Sequence, residues 1–285
     1  MGSRAAVTVY RPDSDLRHPL GLFRQMGCDL LASRYLTWQI LRRDISVQYR
    51  QSFFGIAWAI IPPLVAAAGL TLASNSKVLH VGATDLPYPA YVMFSTALWQ
   101  TFVESILLPI QKVTQSKMLL SRIRFPCEAL ILSGVGQVFF NFAFKLLLIV
   151  GMFIWFKLPL PPSVLFAPVG LLSLVMLGTC IGVLLAPFGA LYKDIFQGTT
   201  LATGVWLFLT PVVYPVPKGD GIFGAFVRWN PVTPLLVTTR ELATTGIVSD
   251  PQGFWLVSAL AVIGLLAAWL VYRLAMPFVI ERLSS

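Results

Sequence analysis

The sequence predicts an all-α integral membrane protein with six transmembrane helices, and three observations lead there. Apolar residues make up 56% of the 285, charged residues only 12%, and the mean hydropathy is +0.77. Several apolar runs approach or exceed the roughly 20 residues that cross a hydrocarbon core about 30 Å thick. None of these runs shows the in-out alternation over about 10 residues that marks a membrane β-strand. In lipid every backbone N–H and C=O must be satisfied within the protein, and a helix does this inside one segment.

Residues 1–28 read as a flexible cytoplasmic segment. Arg4, Arg11, Pro12, Asp13, Asp15, Arg17 and Pro19 leave no apolar run for a cleavable signal peptide, so the amino end is expected to stay in the cytoplasm. Residues 29–52 are helical in pattern but too charged to cross, and predict an amino-terminal interfacial amphipathic helix. Leu31, Tyr35, Trp38, Ile45 and Tyr49 share one face, while Gln39, Arg43 and Arg50 cluster away from it. Such a helix either fixes topology alone or serves as a platform between the membrane and a cytoplasmic engine.

Residues 53–276 form the expected six-helix domain, with spans at 53–74, 88–110, 129–156, 164–188, 198–214 and 254–276, and residues 277–285 form a cytoplasmic tail. Pro62-Pro63 removes two backbone donors and predicts a kink or a break in the first span. Gly178 and Gly182 in the fourth have the small-xxx-small spacing that lets two helix backbones approach closely. The fifth span is short. The 215–253 loop is long and holds Pro217, Trp229, Pro231, Pro234 and Pro251, which predicts short re-entrant or interfacial helices there.

Lysine and arginine set the orientation, because positive loops are retained in the cytoplasm. With both ends inside, fifteen basic residues fall on the cytoplasmic side, five fall outside, and only Lys145 lies within a span. The charge of +9 therefore reads as topology rather than as a nucleic-acid surface. The 111–128 loop contributes Lys112, Lys117, Arg122 and Arg124, with Met118, Leu119, Leu120 and Ile123 interspersed. It fits a short amphipathic helix: either a knob for a groove on a soluble partner or a solvated loop obeying the charge bias.

Two spans carry polar stripes at a spacing of four, Thr96, Gln100 and Glu104 in the second and Ser133, Gln137, Asn141 and Lys145 in the third. Such faces line a bundle interior, a watery path or an inter-helix contact. The two helices run in opposite directions, which places Glu104 and Lys145 roughly 13 Å apart in depth at a rise of 1.5 Å per residue. The expectation is no salt bridge, with Lys145 snorkelling outward and Glu104 meeting amides or water. Trp58, Trp99, Phe102, Phe139, Phe142, Trp206 and Phe208 are packing or lipid-facing residues, or in part sugar-stacking planes.

Several chemistries are excluded. None of the seven lysines is followed by serine or threonine, so no phosphate-binding loop of the Walker type exists and this chain does not hydrolyse ATP. His18 and His80 fall on opposite sides of the membrane and build no hydrolytic triad. Cys28, Cys127 and Cys180 lack metal-ligand spacing and predict no disulfide framework.

In order along the chain stand Val47-Gln48-Tyr49-Arg50-Gln51-Ser52-Phe53-Phe54-Gly55-Ile56-Ala57-Trp58, Pro62, the basic loop with Arg122 to Pro126, Tyr192-Lys193-Asp194, Thr210-Pro211-Val212-Val213-Tyr214-Pro215 and Trp229-Asn230-Pro231. From about residue 29 onward this pattern resembles the transmembrane subunit of ABC-2 type exporters, in the polysaccharide, O-antigen and teichoic-acid branch. The family commonly has Leu-Gly where this chain has Phe54-Gly55, which leaves the glycine and alters one side-chain contact.

The resemblance implies a homodimer in the bacterial inner membrane, with a channel between the two copies. It also implies two separate nucleotide-binding ATPase subunits that carry ATP and Mg, with no cofactor in this chain. The cargo would be a polysaccharide linked to undecaprenyl diphosphate, as in lipopolysaccharide O-antigen export. Lys117, Met118, Leu119, Arg122, Tyr192, Lys193 and Asp194 would couple to the ATPase. Arg34, Arg42, Arg43, Arg50 and Gly55 are candidates for the diphosphate, although Arg42 lies near the apolar stripe and Arg43 and Arg50 share another face. Trp58, Trp99, Gln100, Phe102, Glu104, Gln137, Asn141 and Trp206 are channel-lining candidates. The alternatives are an ABC-2 exporter of a lipid or drug, an ion-coupled secondary transporter relying on Glu104, and a membrane glycosyltransferase. The last would need acidic cytoplasmic motifs, and these loops are basic apart from Asp194.

Overall fold

The computed structural model describes residues 27–28, 30–50, 57–75, 84–122, 126–217 and 221–284, and among them every regular element is helical. The α-helices are α1 Arg34–Arg50, α2 Ala57–Asn75, α3 Tyr88–Gln115, α4 Lys117–Arg122, α5 Glu128–Trp155, α6 Ala167–Leu191, α7 Asp194–Phe208, α8 Ile222–Trp229, α9 Val232–Thr244 and α10 Pro251–Ser284. A 3₁₀ turn, Pro162–Phe166, leads into α6.

Three helical stretches, Glu128–Trp155, Pro162–Leu191 and Pro251–Leu283, are long and apolar enough to cross a membrane by length and composition. The remaining expected spans also fold as helices, with different lengths and polarity. Helix α2 runs unbroken through Pro62-Pro63, so the anticipated break does not occur. Helix α3 extends five residues past its expected end and carries Gln100, Glu104, Gln111 and Lys112. Helix α7 has 15 residues, or roughly 22 Å, and the chain then leaves helical geometry through 209–217.

Helix α3 is the axis of the bundle. Nearly its whole circumference is buried, and it touches α2, α4, α5, α6, α7 and α9. Its partners show how it is oriented. Moving along α3, the residues it meets on α6 rise in number, from Gly178 beside Phe102 and Ser105 to Gly189 beside Ile110. Those on α5 fall, from Phe153 beside Phe94 to Gly134 beside Leu108. Helices α3 and α6 therefore run the same way and α5 runs against them.

The α3–α6 contact explains the glycine spacing. A Cβ on Gly178 would lie 2.8 Å from the Phe102 carbonyl oxygen, and one on Gly182 would lie 2.5 Å from that of Ile106. Real Cβ atoms do not approach backbone so closely, so both positions need glycine for the two helices to touch.

Two apolar clusters fill the bundle. At the end bearing α4, Ile40, Val113, Leu120, Leu130, Ala190, Tyr272 and Val279 pack together and join α1, α3, α4, α5, α6 and α10. Toward the opposite end, Phe94, Trp99, Phe102, Phe153, Val212, Leu235 and Phe254 form the larger cluster. The long 215–253 connection holds α8 and α9, and α9 is buried over most of its length between α6 and α10.

Candidate functional site

Polar groups that the sequence places on separate helices meet in one seam between α1, α3 and α5. Asn141 Nδ2 donates to Glu104 Oε2 at 3.2 Å, and Lys145 Nζ donates to Glu104 Oε1 at 2.8 Å and to Thr101 Oγ1 at 3.4 Å. Gln137 Nε2 donates to Gln48 Oε1 at 2.6 Å, and Lys112 Nζ donates to Asp44 Oδ2 at 2.5 Å. The Glu104–Lys145 ion pair corrects the expectation that these residues stand apart. Lys145 does not snorkel outward: its side chain is fully buried, and that of Glu104 is 28% exposed.

The physical reason lies in register and side-chain direction. Phe94 meets Phe153 and Leu108 meets Gly134, and this antiparallel register places Glu104 opposite Asn141. Lys145 is one turn further on, and a helical side chain leans toward its own amino end, which brings the ammonium back onto Glu104. The expectation that Glu104 meets amides holds through Asn141.

Among the aromatic candidates, Trp99, Phe102 and Trp206 form one cluster. Ring centroids lie 5.4 Å apart for Trp99–Phe102 and Phe102–Trp206, and 6.3 Å apart for Trp99–Trp206. Trp99 and Phe102 are buried within the protomer. Gln100 is partly exposed, and Gln137 and Asn141 are buried in the seam.

Helix α1 presents two unlike faces. Ile40 and Asp44 turn toward the bundle, Ser33 just before the helix is buried too, and Leu41 lies over Gly136 of α5. Leu31, Tyr35 and Trp38 of the predicted apolar face point away, with Arg34 and Arg42 also exposed. Arg43 differs from these two arginines, because its Nε and Nη2 both contact Asp44 Oδ1, at 2.9 and 2.8 Å. The arginine candidates thus divide, with Arg43 engaged and Arg34 and Arg42 free of ion pairs among the described residues. Gly55 lies outside the described residues, as do the side chains of Arg50, Trp58 and Arg122.

The candidate coupling residues gather at one end. Helix α4 follows α3 after the single residue Ser116, whose N–H donates to the carbonyls of Lys112 and Val113 at 3.1 and 3.2 Å. It buries Leu120 and exposes Met118, 71% accessible, and Leu119. The turn between α6 and α7 exposes Tyr192, Lys193 and Asp194. Partial burial, and then the Lys193 charge, lower the pKa of Lys117, and Thr114 Oγ1 donates to the Gly189 carbonyl at 3.0 Å, which ties the end of α3 to that of α6. Just before α5 burial pushes the Cys127 thiol up to about 12, which leaves it protonated and unreactive at neutral pH.

The opposite end carries a site that residue spacing alone does not reveal. Asn230 accepts from Trp206 Nε1 and the Val232 N–H, both at 3.1 Å, and donates to the Leu209 carbonyl at 3.1 Å and Thr210 Oγ1 at 2.8 Å. Tyr88 donates to the Val213 carbonyl at 3.1 Å, and Tyr91 to that of Tyr214 at 2.8 Å. Arg240 is buried, with its guanidinium 4.1 Å from the centre of the Tyr91 ring and Nη1 2.8 Å from Ser95 Oγ. These contacts give a structural meaning to the Thr210–Pro215 and Trp229–Pro231 motifs: they supply donors for carbonyls that no helix satisfies.

A polytopic helical bundle with a polar seam inside and a basic, partly apolar knob at one end belongs to the class of membrane transport subunits. The family model described as ABC-2 type transporter matches residues 35–242, and the chain belongs to that family. It is similar to an O-antigen export system permease protein, RfbA, of Myxococcus xanthus, with 23% identity covering 86% of this chain and 94% of the other. A protein of the same name from Klebsiella pneumoniae is 20% identical, covering 74% of this chain and 80% of its own.

Proposed function

We propose that this chain is the transmembrane subunit of an ATP-driven exporter that moves polysaccharide on a diphosphate lipid carrier across the bacterial inner membrane. It acts as a homodimer with a channel between the copies. Two separate nucleotide-binding subunits carry ATP and Mg and dock on the α4 end, which faces the cytoplasm together with both termini. Six spans cross the membrane, formed by α2, α3, α5, the 162–191 stretch, α7 with the residues after it, and α10. The shared direction of α3 and α6, with α5 opposed, supports that topology. Names of the relatives support O-antigen as the kind of cargo.

The observation that carries this reading is that α4 and the α6–α7 turn stand at one end of the bundle in a chain of this family: Thr114 Oγ1 donates to the Gly189 carbonyl at 3.0 Å, Leu120 and Ala190 share one apolar cluster, and Met118, Leu119, Tyr192 and Lys193 are exposed. Apolar side chains ringed by cations suit a groove with an acidic rim on a soluble partner, where complementary charge steers and orients docking. Arg34 and Arg42, exposed and free of ion pairs among the described residues, are α1 cations that can meet a diphosphate, with Arg50 a further candidate, and α1 serves as the platform that brings them to the membrane surface.

The test is the double charge reversal Lys117→Glu with Lys193→Glu, co-expressed with its nucleotide-binding subunits. The variant should insert in the membrane at normal levels, fail to co-purify with the ATPase subunits, and leave lipid-linked polymer accumulating in the cytoplasmic leaflet. Unchanged co-purification and export would overturn this docking surface.

A further inference from the structure

Within the basic stretch 34–50, Asp44 is the single acid, and the structure spends it on a contact between helices. Asp44 Oδ2 accepts from Lys112 at 2.5 Å, with the two side chains 15% and 6% exposed. Lys112 lies in the last turn of α3, and the Lys112 carbonyl accepts from the N–H of Ser116, the one residue before α4. The pair therefore joins α1 to the turn that bears the knob. One turn further along α1, Gln48 meets Gln137 of α5 at 2.6 Å. One turn before Asp44, Leu41 seats on Gly136.

We infer that Asp44 and Lys112 are a positioning pair that makes α1 and the α4 knob one lever, so that a push on α4 displaces the α1 platform instead of sliding past it. This rests on the reading above, in which ATPase subunits push on α4. Apolar faces alone tolerate small shifts along one another. A nearly buried ion pair does not, because drawing its members apart leaves the Lys112 ammonium, 6% exposed, without its anion, while Asp44 keeps only the exposed Arg43. Coupling between distant sites needs such an element with discrete arrangements that both sites bias.

The experiment uses the full complex of permease and ATPase subunits in vesicles. Asp44→Asn, Lys112→Gln and their combination are compared for co-purification, ATP hydrolysis and ATP-dependent export of lipid-linked polymer. Each single variant should keep co-purification and hydrolysis within about twofold, lose export by roughly tenfold, and be no worse when combined. Undiminished export in Asp44→Asn would overturn the inference, as would export and hydrolysis falling together. If Asp44→Asn does not assemble, Lys112→Arg and Lys112→Gln decide: export kept in the first and lost in the second supports the lever, and equal export in both overturns it. A wild-type complex without ATP-dependent export would refute the transport reading instead.

Discussion

The two ends of the bundle are held by different chemistry. At the α4 end and toward mid-bundle the ties are ionic and run from helix to helix: Asp44 to Lys112, Glu104 to Lys145, and Glu128 to Arg273 at 3.7 Å. At the opposite end neutral donors fix a segment that is not helical. Tyr88, Tyr91 and Asn230 reach the carbonyls of residues 209, 213 and 214. Arg240 is met there by an aromatic ring, a hydroxyl and the Pro211 carbonyl at 3.5 Å. The difference follows from what each end lacks. Helices satisfy their own backbone and need only register, which a charge pair sets by being costly to separate. A buried non-helical stretch needs donors for its carbonyls, which tyrosine and asparagine supply here with the Arg240 guanidinium beside them.

The largest effect expected from this contrast comes from halving an ionic tie. Glu104→Ala leaves the fully buried Lys145 ammonium without its anion and should destabilise the protein by about 3–5 kcal/mol. Unfolding of the purified permease in lipid would measure it. Adding Lys145→Met should recover most of the loss, because an apolar side chain of similar length tolerates the site. A double variant no more stable than Glu104→Ala alone would contradict a buried charge as the cause.

The second effect is at the other end, where one residue serves four partners. Asn230→Ala removes the bonds to Trp206, Val232, Leu209 and Thr210, and should cost about 1–3 kcal/mol by leaving buried groups unsatisfied. It should also loosen the Trp206 indole. A tryptophan emission spectrum shifted in Asn230→Ala but not in Asn141→Ala would locate the change. Identical spectra would mean that Trp206 is held by its contacts with Trp99 and Phe102 alone.

Much of this was legible in the sequence, and the remainder has identifiable causes. A helix within each expected apolar run follows from run length, although only three stretches are long and apolar enough to cross a membrane and α7 stops at Phe208, and the Gly178–Gly182 contact follows from spacing. The short α4 and the helices within 215–253 follow from loops too apolar or too long to be turns. The Glu104–Lys145 pair was not legible, because the register of α3 against α5 is set by contacts such as Phe94 with Phe153 and Leu108 with Gly134, which hydropathy does not encode. The face of α1 was legible only in part. Leu31, Tyr35 and Trp38 share a face as the spacing requires, yet the bundle takes the other one, through Ile40 and Asp44. A lone acid among the basic residues of α1 was the available sign of that contact. Arg240 gave none, since a buried cation facing a tyrosine 149 positions away leaves no local pattern.

The smallest effect separates two tyrosines one turn apart on α3. Tyr88→Phe removes a single bond to the Val213 carbonyl at a partly exposed site. It should cost about 0.5–1.5 kcal/mol, since water or a headgroup can replace the donor. Tyr91→Phe acts where nothing replaces it: the hydroxyl also lies 3.3 Å from the Pro211 carbonyl, and the residue is buried. The ring that faces Arg240 is retained in the phenylalanine, so the difference between the two variants isolates the hydroxyl at the buried position. Tyr91→Phe should therefore be the more destabilising of the pair, while Tyr91→Leu, which also removes the π face, should exceed both. Equal losses for Tyr88→Phe and Tyr91→Phe would mean that burial does not set the strength of these donors. The non-helical segment would then be held mainly by Asn230.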